Sequence, residues 1–139
     1  MLEAKFDIGA IPAGEDRVLR FPKAGVIFVK GDHGKDAYLV RSGRVEIRKA
    51  GRAIETIDPG ELFGEMALID SEPRSASAVA LEPTELIRID GPTFATLVRD
   101  LPDFALTVMR LMSRRLRATE ETERPIDDLP IVQKSARSQ

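Results

Sequence analysis

Short runs of β-formers recur through the first two thirds of the chain, at residues 18–21, 26–29, 37–40, 45–47, 53–57, 76–80 and 85–89. Several alternate apolar and polar positions, as Val45-Glu46-Ile47 and Ala76 to Ala80 do, which is the period of a strand with one face covered. Turn signals separate them: Gly31-Asp32, Ser42-Gly43 and Asp58-Pro59-Gly60. Of the ten glycines only Gly91 lies beyond Gly64. Seven or eight short strands at this spacing leave no room for helical crossovers, so the sheet is expected to be antiparallel. The pattern predicts a mainly β fold of seven or eight strands, an antiparallel barrel or jelly roll, followed by C-terminal helices.

The period changes in the last third. Residues 92–98 read as a short helix, and Leu101-Pro102 as a joint. Asp103 stands where a carboxylate meets the free N–H groups of a helix start. From there to about Arg124 no glycine or proline intervenes, which predicts a helix roughly 30 Å long. Ala105, Met109, Met112, Leu116 and Thr119 make a coiled-coil-like seam, with Phe104, Val108 and Leu111 on a second stripe. One stripe is expected to cover the barrel, the other to meet a partner or lid a pocket. Pro125 ends the helix, and 125–139 lacks any period, so residues 1–124 are read as one domain and 125–139 as a disordered tail.

Composition narrows the chemistry. The 139 residues suffice for one hydrophobic core. With 21 basic and 23 acidic residues the formal charge is -2, which disfavours nucleic acid as a direct partner. Cysteine is absent and His33 is the only histidine. That excludes disulfides, thiol nucleophiles, thiolate zinc sites and the multi-histidine metal site of cupin-type jelly rolls. His33 lies in the loop-like Gly31-Asp32-His33-Gly34 with no nucleophile motif to serve, and is read as a solvated turn residue. No signal peptide and no span of about 18–20 apolar residues is present, so the expectation is cytoplasmic, with no membrane contact. The run Arg114-Arg115-Leu116-Arg117, followed by Glu120, Glu121 and Glu123, is read as a solvated helix face.

The informative segment runs from Gly60 to Ser77. Gly64 and Glu65 precede a short apolar turn, Met66-Ala67-Leu68-Ile69. A polar loop then leads to Pro73-Arg74-Ser75 at the entry to a strand. A helical turn offers free N–H groups to an anion. Arg74 grips phosphate oxygens with paired donors, and a hydroxyl at Ser75 adds another. An ionised Glu65 only accepts hydrogen bonds, so it suits a sugar hydroxyl. Arg74 also has Glu65 and Glu72 as alternative ion-pair partners. A phosphate grip beside a sugar grip describes a nucleotide, and one arginine suits a single phosphate charge.

Phe63-Gly64-Glu65-Met66-Ala67-Leu68 followed by Pro73-Arg74-Ser75-Ala76 resembles the phosphate-binding cassette of the cyclic nucleotide-binding domain family. That family includes bacterial catabolite activator proteins, kinase regulatory subunits and gated cation channels. The upstream turns Gly31-Asp32 and Ser42-Gly43 and the run Asp36-Ala37-Tyr38-Leu39-Val40 resemble its barrel turns. The likeness covers roughly residues 15–122. It implies an eight-stranded antiparallel jelly roll (a double-stranded β-helix) with C-terminal helices, and non-catalytic binding of a cyclic mononucleotide, with no cofactor. By resemblance Glu65 takes the ribose 2′-hydroxyl, Arg74 and Ser75 take the cyclic phosphate, and the backbone of Gly64, Glu65, Met66 and Ala67 completes the cradle. Thr119 is similar to a base-contacting threonine of the catabolite activators, which favours cAMP over cGMP. Glu120 stands where those proteins have a serine, and a hydroxyl beside the arginine suits either purine. The family's transcription factors continue into a helix-turn-helix, and no such element is expected in residues 125–139. The expectation is a sensor without direct DNA binding. Its partners would be a cyclic nucleotide, a second copy through the C-terminal helix, and an effector or fused output domain. The alternative is a degenerate jelly roll that docks or dimerises and binds no nucleotide.

Overall fold

A computed structural model describes residues 4–11 and 14–122, with backbone alone for 119–122. Eight strands follow one another: β1 Val18–Phe21, β2 Val26–Phe28, β3 Asp36–Ser42, β4 Val45–Lys49, β5 Arg52–Ile57, β6 Leu62–Phe63, β7 Ser77–Ala80 and β8 Thr84–Asp90. A four-residue helix α1 (Met66–Ile69) sits between β6 and β7, and α2 (Gly91–Asp100) and α3 (Pro102–Thr122) close the described chain. The strands form two four-stranded sheets, ordered β1-β8-β3-β6 and β2-β7-β4-β5, antiparallel throughout. This is the expected mainly β jelly roll. The eighth strand is β6, a two-residue piece too short to show a period of its own; it pairs Tyr38 with Phe63 and Leu39 with Leu62.

Alternation along the first sheet builds two cores. In β3, Ala37 and Leu39 face one side, while Tyr38 and Val40 face the other. Leu62 and Phe63 of β6 divide the same way, as do Ile87 and Leu86 of β8. Val40, Phe63 and Leu86 meet Val45, Ile47, Ile57 and Ala78 of the second sheet to fill the barrel. Ala37, Leu39, Leu62, Ile87 and Ile89 meet Leu97 of α2 and Phe104, Val108 and Leu111 of α3, sealed by Phe6 and Ile11 from the N-terminal segment. Both faces of this sheet are covered, which is why Ala37 to Val40 in β3 and Leu86-Ile87 in β8 are apolar at successive positions.

Asp90 caps α2, accepting from the Thr93 N–H at 2.8 Å, with Pro92 in the first turn. The stripe of α3 that meets the barrel is Phe104, Val108 and Leu111, with Met112 packed beside them. Met109 and Leu116 of the coiled-coil-like seam are 61% and 60% exposed. Seam and barrel stripe are therefore separate except at Met112. The expected extension of this helix to Arg124, and the tail 125–139, lie outside the described residues.

Candidate functional site

The site is assembled where three chain reversals meet: the β2–β3 loop, the β6–α1 junction and the entry to β7. The Val29 N–H donates to Asp32 Oδ2 at 2.9 Å, shaping the first loop. That loop then bonds the backbone of Arg74 on both sides: the Gly31 N–H donates to the Arg74 carbonyl, and the Arg74 N–H to the Asp32 carbonyl, each at 2.8 Å. Residue 74 is thus fixed by a loop 42 positions upstream (74 less 32) before its side chain is considered.

The Arg74 side chain turns inward and the residue is only 6% exposed. Nη1 donates to the Gly64 carbonyl at 2.9 Å and Nη2 to the Asp36 carbonyl at 2.7 Å. Its guanidinium lies over the Phe28 ring, 4.1 Å from the centroid, a cation–π contact in a partly dry setting. The Tyr38 ring stands 5.8 Å away, and burial pushes its hydroxyl above the ordinary tyrosine value. Arg74 Nε is buried and has no hydrogen-bond partner among the described residues. Neither Glu65 nor Glu72 pairs with Arg74, contrary to the ion pair considered from sequence. Glu72 is exposed, its N–H bonded to Asp70 Oδ1 at 3.0 Å, and Glu65 is held elsewhere.

Gly64 has φ +77°, a left-handed conformation that lets β6 turn sharply into α1. Glu65 follows as the N-cap residue and is fully buried. A buried carboxylate requires a partner, and Arg115 of α3 supplies it through an ion pair from Nη1 to Oε2. Arg115 Nη2 also donates to the Leu62 carbonyl at 3.2 Å. The second carboxylate oxygen, Glu65 Oε1, is buried without a hydrogen-bond partner among the described residues. Arg114 lies 3.7 Å from both Glu55 and Glu61, and Arg115 lies 3.8 Å from Glu55. The reading of Arg114 and Arg115 as a solvated face is therefore corrected: both guanidinium groups anchor α3 to β5 and the β6–α1 junction. Their partners are some 50 positions away in sequence, out of reach of any local pattern.

A signal for Arg115 was nevertheless present. Phe104, Val108, Leu111 and Arg115 are spaced 4, 3 and 4, so the arginine continues the buried stripe of α3 by one turn. The other expected site residues fall as follows. Met66 is 45% exposed, Ala67 is half-buried and Ser75 is exposed. Leu68 packs against the helix-side core. The Leu68 N–H bonds the Glu65 carbonyl at 3.0 Å, and the first N–H groups of such a turn have no intrahelical acceptor. Thr119 lies in the backbone of α3, and its side chain is outside the described residues. His33 is exposed in its loop. Among the described residues no cluster of three His, Asp or Glu side chains could hold a metal, and no helix is long and apolar enough to cross a membrane.

The site thus brings one buried cation and one buried anion to either side of a single glycine, each with an uncommitted hydrogen-bonding atom. The cation has donors to offer an anion, the carboxylate an acceptor to offer a hydroxyl.

Comparisons with known proteins agree with this frame. The chain is 42% identical over 105 residues to the cyclic AMP receptor protein of Thermus thermophilus, covering 72% of this chain and 49% of that one. The crystal structure of the Thermus thermophilus catabolite activator protein superposes with a TM-score of 0.67 at 40% identity, covering 77% of this chain and 54% of that one. A structure from a cyclic-GMP-dependent signalling pathway that regulates bacterial phytopathogenesis superposes with a TM-score of 0.64 at 26% identity, covering 73% of this chain and 85% of that one. The chain spans about half the length of the cyclic AMP receptor protein that it matches. The family model for the cyclic nucleotide-binding domain matches residues 18–100. With β1 to β8, the buried Glu65 and the buried Arg74 all inside that span, the chain belongs to the cyclic nucleotide-binding domain family.

Proposed function

We propose that residues 1–124 form a sensor domain that binds one cyclic mononucleotide and performs no chemistry on it. The observation that carries this reading is the pair of buried, oppositely charged side chains around Gly64, Arg74 with an unpartnered Nε and Glu65 with an unpartnered Oε1. A buried polar atom left unsatisfied is costly unless a ligand completes it. In this reading Arg74 and Ser75 take the cyclic phosphate, assisted by the N–H groups of Gly64 to Ala67. Glu65 takes the ribose 2′-hydroxyl through Oε1 while Arg115 neutralises Oε2. Thr119 meets the base, and cAMP is favoured over cGMP. Two supports for that preference are the position of Thr119 on α3 and the likeness to a cyclic AMP receptor protein. No cofactor enters the scheme.

Signal output follows from α3. A ligand shifts an element only through differential contacts with its positions. Arg115 touches Glu65 directly, and Leu68 of α1 packs in the same core as Phe104, Val108 and Leu111. Nucleotide that draws on Glu65 and the α1 turn therefore acts on α3, and a second copy, an effector or a fused domain reads the change. A chain free of cysteine suits the cytoplasm.

The sugar grip tests this assignment. The wild type should bind 2′-deoxy-cAMP more weakly than cAMP by about 1.5–3 kcal/mol, the range for a hydrogen bond to a charged group. Glu65→Ala should lose that discrimination while binding both weakly. Equal affinities of the wild type for the two nucleotides would remove Glu65 from the sugar. No heat with either nucleotide at millimolar concentration would favour the degenerate docking module instead.

A further inference from the structure

Gly34 is a residue that neither the cassette pattern nor the sugar and phosphate contacts call for. It lies in the β2–β3 loop, half-buried, with ordinary backbone torsions. A Cβ at this position would fall well inside 3.0 Å of Arg74 Nε, Nη2 and Cζ, closer than side-chain carbons approach other atoms. From the other side, a Cβ on Gly64 would stand 2.8 Å from Arg74 Nη1. The guanidinium is thus set in a slot between two residues that have no side chain, with Phe28 beneath it and the Asp36 and Gly64 carbonyls at its ends. The two glycines differ in kind. Gly64 is required by its φ of +77° whatever its neighbours. Gly34 needs no left-handed backbone, so space for the guanidinium accounts for glycine there.

We propose that Gly34 is a positioning residue for anion recognition, its missing side chain being the space that lets Arg74 hold both carbonyls with its Nε–Nη2 edge facing the β2–β3 loop. This rests on the reading of Arg74 as the phosphate ligand. A methyl group at 34 would displace the guanidinium from Asp36 and Gly64, and a ligand would then have to order an arginine that the wild type presents already ordered. Gly34 touches no ligand in this scheme and acts only through Arg74.

The test is a double-mutant cycle over Gly34→Ala and Arg74→Ala, read by thermal melting and by titration with cAMP and cGMP. Gly34→Ala alone should lower the melting temperature and weaken nucleotide binding at least tenfold. In the Arg74→Ala background, where the guanidinium is gone, the same change should leave melting unaltered and weaken binding less than twofold. If Gly34→Ala does not fold, its folding should be restored by adding Arg74→Ala. Equal effects of Gly34→Ala in both backgrounds, no restoration, or unchanged affinity in the single variant would overturn the assignment. The melting cycle reads the Gly34–Arg74 contact without ligand. A wild type that binds neither nucleotide would therefore overturn the phosphate role while the cycle still reported on the slot.

Discussion

Arg115 is a residue that the cassette pattern leaves out, and it pairs directly with the buried Glu65. It is 26% exposed in its side chain, whereas Glu65 is fully buried. Removing a partner from a buried pair typically costs about 3–5 kcal/mol, because the remaining charge stays desolvated. Since one partner here reaches solvent, Arg115→Ala is expected to destabilise the domain by about 2–4 kcal/mol in urea unfolding. A change under 0.5 kcal/mol would mean that Glu65 is neutralised by other means. Gly64, Glu65 and Arg74 stand out in sequence because the cassette pattern is local, and the structure shows the two charged side chains buried; their roles toward a ligand are those proposed above. Arg115 was read as solvated, although its place on the Phe104 stripe announces burial, since charge and local acidic neighbours suggest solvent. Asp36 and Phe28 were not read: Asp36 contributes a backbone carbonyl, which any residue carries, and the Phe28 ring meets a guanidinium far along the chain, beyond any local pattern.

At the scale of elements, strand periodicity and turn residues carried nearly all of the barrel, and β6 escaped because two residues have no period. Helix α3 was placed by its uninterrupted run. Which stripe packs inward was left open between two patterns, and is decided by the aromatic and branched residues Phe104, Val108 and Leu111 against β3 and β8. Helix α2 is tied down by its cap. The Thr93 hydroxyl and N–H beside Asp90 hold that carboxyl below its ordinary value, and Arg41 and Arg20 do the same for Glu85 on β8. Groups with depressed folded values contribute stability that is complete above their unfolded values, near pH 4, and is lost as pH falls through the folded ones. Melting temperature should therefore decline as pH drops below about 4, and Asp90→Asn should flatten part of that decline. An acid profile identical in wild type and Asp90→Asn would remove the cap from the account.

For the whole molecule, the two cores divide the work. The inter-sheet core holds the barrel, and the second core carries α2, α3 and, through Leu68, the α1 turn of the cassette. The α1 turn and α3 thus share one packed layer, while Arg74 lies against Phe28 and Tyr38 of the other core. The opposite side of α3 leaves Leu106, Met109 and Leu116 exposed, a surface suited to a second copy of the helix. Light scattering should show a dimer that Met109→Lys with Leu116→Lys converts to monomer. A wild type that remains monomeric with and without nucleotide would assign output to an effector or fused domain.

The central claim is that Arg74 is the buried cation of a cyclic-phosphate site. Titration of cAMP into the wild type and Arg74→Ala, side by side, tests it most directly. The wild type should bind, and Arg74→Ala should lose about 2–5 kcal/mol, the cost of leaving a desolvated charge without its partner. Binding by the wild type with a loss under 0.5 kcal/mol in the variant would place the phosphate elsewhere and contradict the account.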